Sequence, residues 1–196
     1  MVGATMKDAV ARVLNESAAL KVRVAEECAG EIAAAAAMIL DAYRAGGKVL
    51  AFGNGGSAAD AQHFTAELVG RFLGDRPALP AVCLTDNAST VTSVSNDYGY
   101  DLLFARQMEA HCRPGDVAVG ISTSGNSPNV LRGLVRAREL GARTIGLTGR
   151  DGGRMPAATD LCVVVPHDNT ARIQETHIAI IHIWCALLEE GLFGVR

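Results

Sequence analysis

Three short groups of residues in this chain have chemistry to offer. His63 and Glu67 stand four apart, so on a helix they share one face. An imidazole and a carboxylate so placed can move a proton or bind a divalent metal. The second group, Ser122-Thr123-Ser124-Gly125-Asn126-Ser127, concentrates four hydroxyls in six residues. With the backbone N–H groups of a following helix start, those hydroxyls suit the oxygens of an anion. The segment is neither a Walker A loop nor a G-x-G-x-x-G turn, so a sugar phosphate fits it better than a nucleotide. The third group places Gln174, His177 and His182 in the aliphatic run from Arg172 to His182. Singly, a histidine there is most simply a satisfied core residue; two of them and a glutamine, beside a separate His-x-x-x-Glu, raise the metal reading. Spacing pairs Gln174 with His177, three apart, whereas Gln174 and His182 are separated by roughly 12 Å along a helix axis. The latter two can share a metal by leaning toward each other, or if one comes from another subunit.

These groups need elements to hold them. Val49-Leu50-Ala51-Phe52 reads as a buried strand that breaks on Gly53-Asn54-Gly55-Gly56 and enters a helix at Ser57, a position for an N-cap or an anion-facing hydroxyl. The glycines allow a tight turn and close approach of the backbone to a bound group. Upstream, Met6–Cys28 and Glu31–Tyr43 read as helices ended by Gly46-Gly47. This arm over residues 1–46 either packs on the core or forms an oligomer-building helical pair. From residue 48 the pattern alternates: strand Lys48–Phe52, helix Ser57–Arg71 and strand Pro80–Leu84. A mostly helical stretch follows over 88–112, broken at Asn96-Asp97-Tyr98-Gly99. Then come strand Asp116–Ile121, helix Pro128–Leu140, strands Arg143–Leu147 and Leu161–Val165, and a long helix Thr170–Glu190. Apolar strands alternating with helices imply a parallel sheet covered on both faces. Ligands bind such sheets beyond the carboxyl ends of the strands, and the polar loops named above all fall at that edge.

Composition narrows the function classes. With 196 residues and a formal charge of −3, one domain is expected, with no basic field for nucleic acid. Five scattered cysteines without a C-x-x-C spacing point to reduced thiols and a cytoplasmic protein. Met1–Glu16 lacks the apolar core of a signal peptide, and the apolar stretch Ile178–Leu188 is too short to span a bilayer, so no membrane partner is expected.

The run from Gly53 to His63, the run from Gly120 to Ser127 and Arg172-Ile173-Gln174-Glu175-x-His177, in that order over nearly the whole chain, resemble the phosphoheptose isomerases of the sugar isomerase (SIS) superfamily. The resemblance implies an α/β, flavodoxin-like three-layer sandwich with a five-stranded parallel sheet. A single SIS domain would comprise the helical arm (1–46) and an α/β core (47–196), assembled as a homotetramer with sites shared between subunits. It implies conversion of sedoheptulose 7-phosphate to D-glycero-D-manno-heptose 7-phosphate, the first step of heptose nucleotide biosynthesis. It also implies one zinc per subunit, held by His63, Glu67, Gln174 and His182, with Glu67 and His182 as the acid/base pair. Asn54, Gly55, Gly56, Asn96, Asp97, Ser122, Thr123, Ser124 and Ser127 match the substrate contacts, joined by Ser57, Arg71, Glu67 and Gln174. His177 follows the family pattern without being one of its ligands. The chain departs from some members at Ala171, where they carry an aspartate.

The chemistry asks for these residue types independently. Aldose–ketose isomerisation moves a proton between adjacent carbons through a cis-enediol, which needs a base, an acid and stabilisation of an oxyanion. Two other readings share the fold: a non-catalytic SIS protein binding a replication initiator, and a domain that only senses a phosphosugar. The first kind lacks the equivalents of Glu67 and His182; the second usually accompanies a DNA-binding segment.

Overall fold

The computed structural model describes residues 5–195; the outermost residues of the expected arm and core, 1–4 and 196, lie outside them. Helices α1 (Met6–Glu27) and α2 (Ala29–Arg44) precede β1 (Val49–Gly53), α3 (Gly56–Val69), β2 (Ala81–Cys83) and α4 (Ala88–Tyr98). A 3-10 turn at Tyr100–Leu102 leads into α5 (Leu103–His111), β3 (Val117–Ser122), α6 (Pro128–Glu139) and β4 (Arg143–Gly149). A short α7 (Met155–Ala158), β5 (Leu161–Val165) and α8 (Thr170–Phe193) complete the order. The five strands are all parallel, in the order β2-β1-β3-β4-β5.

Period-two alternation divides the strand side chains between two cores. Val49, Ala51, Val117, Val119 and Ile121 join α1, α2, α3 and α8 on one face, while Leu50, Phe52 and Ala118 join α5, α6 and α7 on the other. Every residue of β1 and β3 is buried, as a strand covered on both faces requires. Glycine brings helices close: at Gly133 of α6 an added Cβ would stand 2.8 Å from Phe104 Cβ and 2.9 Å from the Phe52 ring.

The element boundaries differ from expectation by small amounts with local causes. The long stretch over 88–112 breaks at Gly99, whose φ of 87° a side chain would resist. The brief α7 was not foreseen; a four-residue helix carries too few apolar positions to show a period. The arm is less separate than its composition suggests, because Ala35, Met38 and Ile39 of α2 are buried in the first core. Helix α8 runs 24 residues, beyond the apolar stretch read from the sequence, and is by length and composition long enough to cross a membrane. Here it is a core helix: Ile173, Ile180, Ile181, Trp184 and Leu188 are buried, and Trp184 Nε1 donates to Ile32 O at 3.0 Å.

Alanine normally favours a helix over glycine by about 1 kcal/mol. At Gly133 the contacts reverse the sign, and Gly133→Ala is expected to destabilise the protein by roughly 1–3 kcal/mol through overpacking. Chemical denaturation checks this; a variant as stable as the parent would show that α6 can shift away from the sheet.

Candidate active site

Strand order reverses between β1 and β3, and the loops leaving these two strands form the switch point of the sheet. Beyond β1 the chain turns through Asn54 and Gly55, whose φ of 58° favours glycine, and Ser57 N donates to Asn54 O at 3.0 Å to start α3. Beyond β3 the hydroxyl-rich loop closes on itself: Ser122 Oγ and Ser127 Oγ lie 2.9 Å apart, and Gly125 takes a φ of 62°. Between them is a pocket of about 150 Å³ lined by Asn54, Ser57, Ile121, Ser122, Thr123, Ser124, Ser127 and Gln174. Two helix N-termini and five hydroxyls converge there, a setting for a phosphate group. A larger cavity of about 600 Å³ opens beside the edge strand β2, with Asp86, His111 and Gln62 in its wall, away from this convergence of donors.

The proton-handling groups lie farther along α3. His63 Nε2 is 3.0 Å from Glu67 Oε1 and 3.5 Å from His182 Nε2 of α8. The two imidazoles meet edge to face with centroids 5.1 Å apart, and the Phe72 ring lies 5.2 Å from that of His182. Imidazole and carboxylate are the donors zinc prefers, and 3.5 Å is close to the edge of a tetrahedron with bonds of about 2.0–2.1 Å. The donors thus fit zinc in chemistry, and the two pairs that share His63 fit it in spacing. Their contacts meet at His63 without closing a cage: among the described residues, no three His, Cys, Asp or Glu side chains form a ready-made metal site.

Gln174 is not brought to this cluster within one chain. Its amide packs on Gly56, where an added Cβ would fall 2.3 Å from Nε2, and it lines the hydroxyl pocket instead. The separation along α8 that spacing required is what the helix shows. His177 is fully buried and donates from Nε2 to Thr148 O at 3.0 Å. Burial pushes it down to about 4, so it is a neutral core residue. Arg172 and Glu175 of the same motif dock the first helix: Arg172 Nη1 donates to Val13 O at 2.8 Å, and Ser17 Oγ to Glu175 Oε2 at 2.8 Å.

Asn96 and Asp97 sit exposed at the end of α4, bonded to each other and outside the pocket's lining. Arg71, exposed after α3, is likewise outside it, and Gly55 and Gly56 contribute backbone at the turn. Two residues not anticipated from the sequence, Asn129 and Tyr100, organise the wall around the expected Asn54. Asn54 and the buried Asn129 exchange two amide hydrogen bonds of 2.9 Å, and Tyr100 Oη donates to Asn54 Oδ1 at 2.8 Å. Tyr100 thereby ties the segment carrying Asn96 and Asp97 to the pocket. No spacing signal announces that bond, but the position of Asn129, one residue inside a Pro-started helix, is a cue for a polar group in a first turn.

A family model described as the SIS domain matches residues 13–149. A phosphoheptose isomerase of Trichlorobacter lovleyi is 47% identical over 190 residues, covering 97% of each chain. One of Geobacter sulfurreducens is 58% identical over 167 residues, covering 85% of this chain and 88% of that one. The chain belongs to the phosphoheptose isomerase family of SIS-domain proteins. A solved phosphoheptose isomerase of Neisseria gonorrhoeae superimposes with a TM-score of 0.90 at 44% identity, covering 95% of this chain and all of that one. The family's three-layer fold is therefore reproduced throughout, α1 and α2 included.

Asp60 lies on the same stripe of α3 as Gly56, His63 and Glu67. Its Oδ2 is buried with no hydrogen-bond partner among the described residues, and burial pushes its carboxyl up to about 6, opposed by nearby His63. An acid raised in the folded state contributes stability below its unfolded value of 3.8 and loses it as pH rises through about 6. Asp60→Asn in chelator-treated protein is therefore expected to melt higher than the parent above pH 6, by at most about 3 kcal/mol. The two should converge toward pH 4; a pH-independent difference would show that Asp60 is solvated.

Proposed function

We propose that this chain is an aldose–ketose isomerase that converts sedoheptulose 7-phosphate to D-glycero-D-manno-heptose 7-phosphate at the start of heptose nucleotide biosynthesis. One observation carries the reading: α3 presents the hydroxyl pocket at its N-terminus and His63 and Glu67 two turns on, facing His182. Ser57 and His63 are separated by roughly 9 Å along the axis, the scale of an extended heptose from its phosphate to C1 and C2, and Glu67 Oε1 lies 3.0 Å from His63 Nε2. Anchoring the phosphate at one end orients the reacting carbons at the other.

The side chains divide the work as follows. Ser57, Ser122, Ser124 and Ser127 donate to phosphate oxygens. Glu67, oriented by His63, takes the proton from one carbon and returns it to the next, and His182 manages the proton on the substrate oxygen. His63, Glu67 and His182 are the residues that would hold a zinc ion, one per subunit. Gln174, which the family resemblance adds to the set, joins it only from another subunit or by a change in α8. When bound, zinc supplies Lewis-acid polarisation of the carbonyl or a hold on the sugar hydroxyls. Presence of both Glu67 and His182 favours an enzyme over the non-catalytic initiator-binding or phosphosugar-sensing readings.

Turnover of sedoheptulose 7-phosphate by the purified protein, with and without zinc, is the direct test; a zinc-loaded protein with no turnover rejects the isomerase. Glu67→Gln keeps size and a carbonyl oxygen but cannot accept a proton near neutral pH. Its kcat is expected to fall by about 10²–10⁴, with zinc retained at weaker affinity. Zinc content and turnover of one preparation decide it, and near-native turnover at saturating zinc would remove Glu67 as the base.

A cytoplasmic homotetramer is part of the same proposal. Met6, Val10 and Leu14 of α1 are 89%, 59% and 63% exposed and recur every four residues, an apolar stripe facing outward. Farther along α1 a groove of about 300 Å³ runs between α1, α2 and α8, lined by Val24, Ile32, Ile180, Ile183 and Leu187. A second copy of this chain matches such a surface in chemistry and in helical spacing. Val10→Glu with Leu14→Glu is expected to sediment as a smaller species, whereas an unaltered assembly would place the interface elsewhere.

A further inference from the structure

We propose that the buried Arg76–Glu189 ion pair is a positioning device for the catalytic cluster, setting Glu67 through the end of α3 and His182 through Phe72. The inference rests on the isomerase reading of the same site. Both side chains are almost wholly buried, at 2% and 1% exposed, and Arg76 Nε donates to Glu189 Oε1 at 3.0 Å. Glu189, near the end of α8, also accepts from three successive backbone N–H groups: Phe72 at 2.8 Å, Leu73 at 2.8 Å and Gly74 at 3.1 Å. Burial alone would raise this carboxyl; the three N–H groups and the guanidinium together hold it below its usual value.

The guanidinium spends its remaining donors on backbone carbonyls. Nη2 donates to Glu67 O at 2.6 Å, and Nη1 to Leu68 O at 2.7 Å, Pro77 O at 3.1 Å and Gly70 O at 3.2 Å. Helix α3 has no basic residue in its last turn. Its terminal carbonyls have no intrahelical partners, and a cation there is favoured by the helix dipole. Arg76 fills that role on the residue that carries the proposed base. The same pair fixes the backbone of Phe72, whose ring packs against His182 with centroids 5.2 Å apart, and the His63 ring stands 5.1 Å from the same imidazole. A buried ion pair is weak evidence for stability in itself, since apolar residues of equal volume often do as well. Seven of its eight contacts go to the segments bearing Glu67 and Phe72, or directly link the two charges. That distribution is what a positioning role requires.

Two variants test it. Phe72→Ala leaves the ion pair in place and is expected to lower kcat roughly 10- to 100-fold with KM within about twofold. It should also weaken zinc binding about tenfold or more, as loss of outer support for metal ligands does, read by competition with a chromophoric chelator. Phe72→Leu should recover most of both. Arg76→Lys keeps the charge but loses the fork, and should show the same kcat loss together with a lower Tm. The proposal is overturned if Phe72→Ala has native kcat and native zinc affinity. It is also overturned if Arg76→Lys melts lower yet turns over at the native rate per folded molecule. If the parent protein does not convert sedoheptulose 7-phosphate, the isomerase reading fails on its own. Chelator competition then decides the positioning claim: weakened zinc binding in Phe72→Ala supports it and native binding defeats it.

Discussion

The parallel packing of α3 on α8 is the constraint from which the site follows. At one end Gly56 accepts the Gln174 amide where any side chain would collide; two turns on, His63 meets His182; beyond the end of α3, Arg76 meets Glu189. Both helices advance by about 1.5 Å per residue, so three contacts made in step keep them in register. A slip of either helix would part the imidazoles and break the charge pair together. Phe64 and Trp184, 5.9 Å apart, fill the space beneath with apolar contact.

The sheet supplies the other half of the arrangement. Its buried strands leave their polar chain ends at one edge, and the reversal of order between β1 and β3 splays two loops apart to make room for a ligand. Polar groups in that region are costly unless bonded, and the Asn54–Asn129 pair with Tyr100 shows how the wall is satisfied. Asp60 Oδ2, Thr148 Oγ1 and His177 Nδ1 are buried without partners among the described residues. Asp60 shares the α3 stripe of the cluster, and Thr148 of β4 pairs with Ser122 of β3, so stability is given up close to where chemistry is expected.

Much of this was legible in the chain itself, and the reason is locality. A strand, a glycine turn and a helix N-terminus are encoded in neighbouring residues, so Gly53–Ser57 and Ser122–Ser127 could be read as a ligand edge before any tertiary contact was known. His63 and Glu67 lie one turn apart, and helix geometry alone makes them neighbours, with Nε2 and Oε1 3.0 Å apart. The parallel sheet followed from apolar runs alternating with helices, because only a sheet covered on both faces tolerates strands buried throughout.

What local pattern could not carry was decided between segments far apart in sequence. His182 reaches His63 and Gln174 does not, because α8 lies along α3 in parallel and sets Gln174 against Gly56 and His182 against His63, two turns farther on. The importance of Arg76, Phe72 and Tyr100 was invisible for the same reason: each acts through a partner at least eight residues away that no period announces. The sequence by itself determined which chemical groups exist and which neighbours share a helix face or a turn. Only the tertiary structure decided which distant groups meet, because that depends on the register of helices packed by non-directional apolar contact.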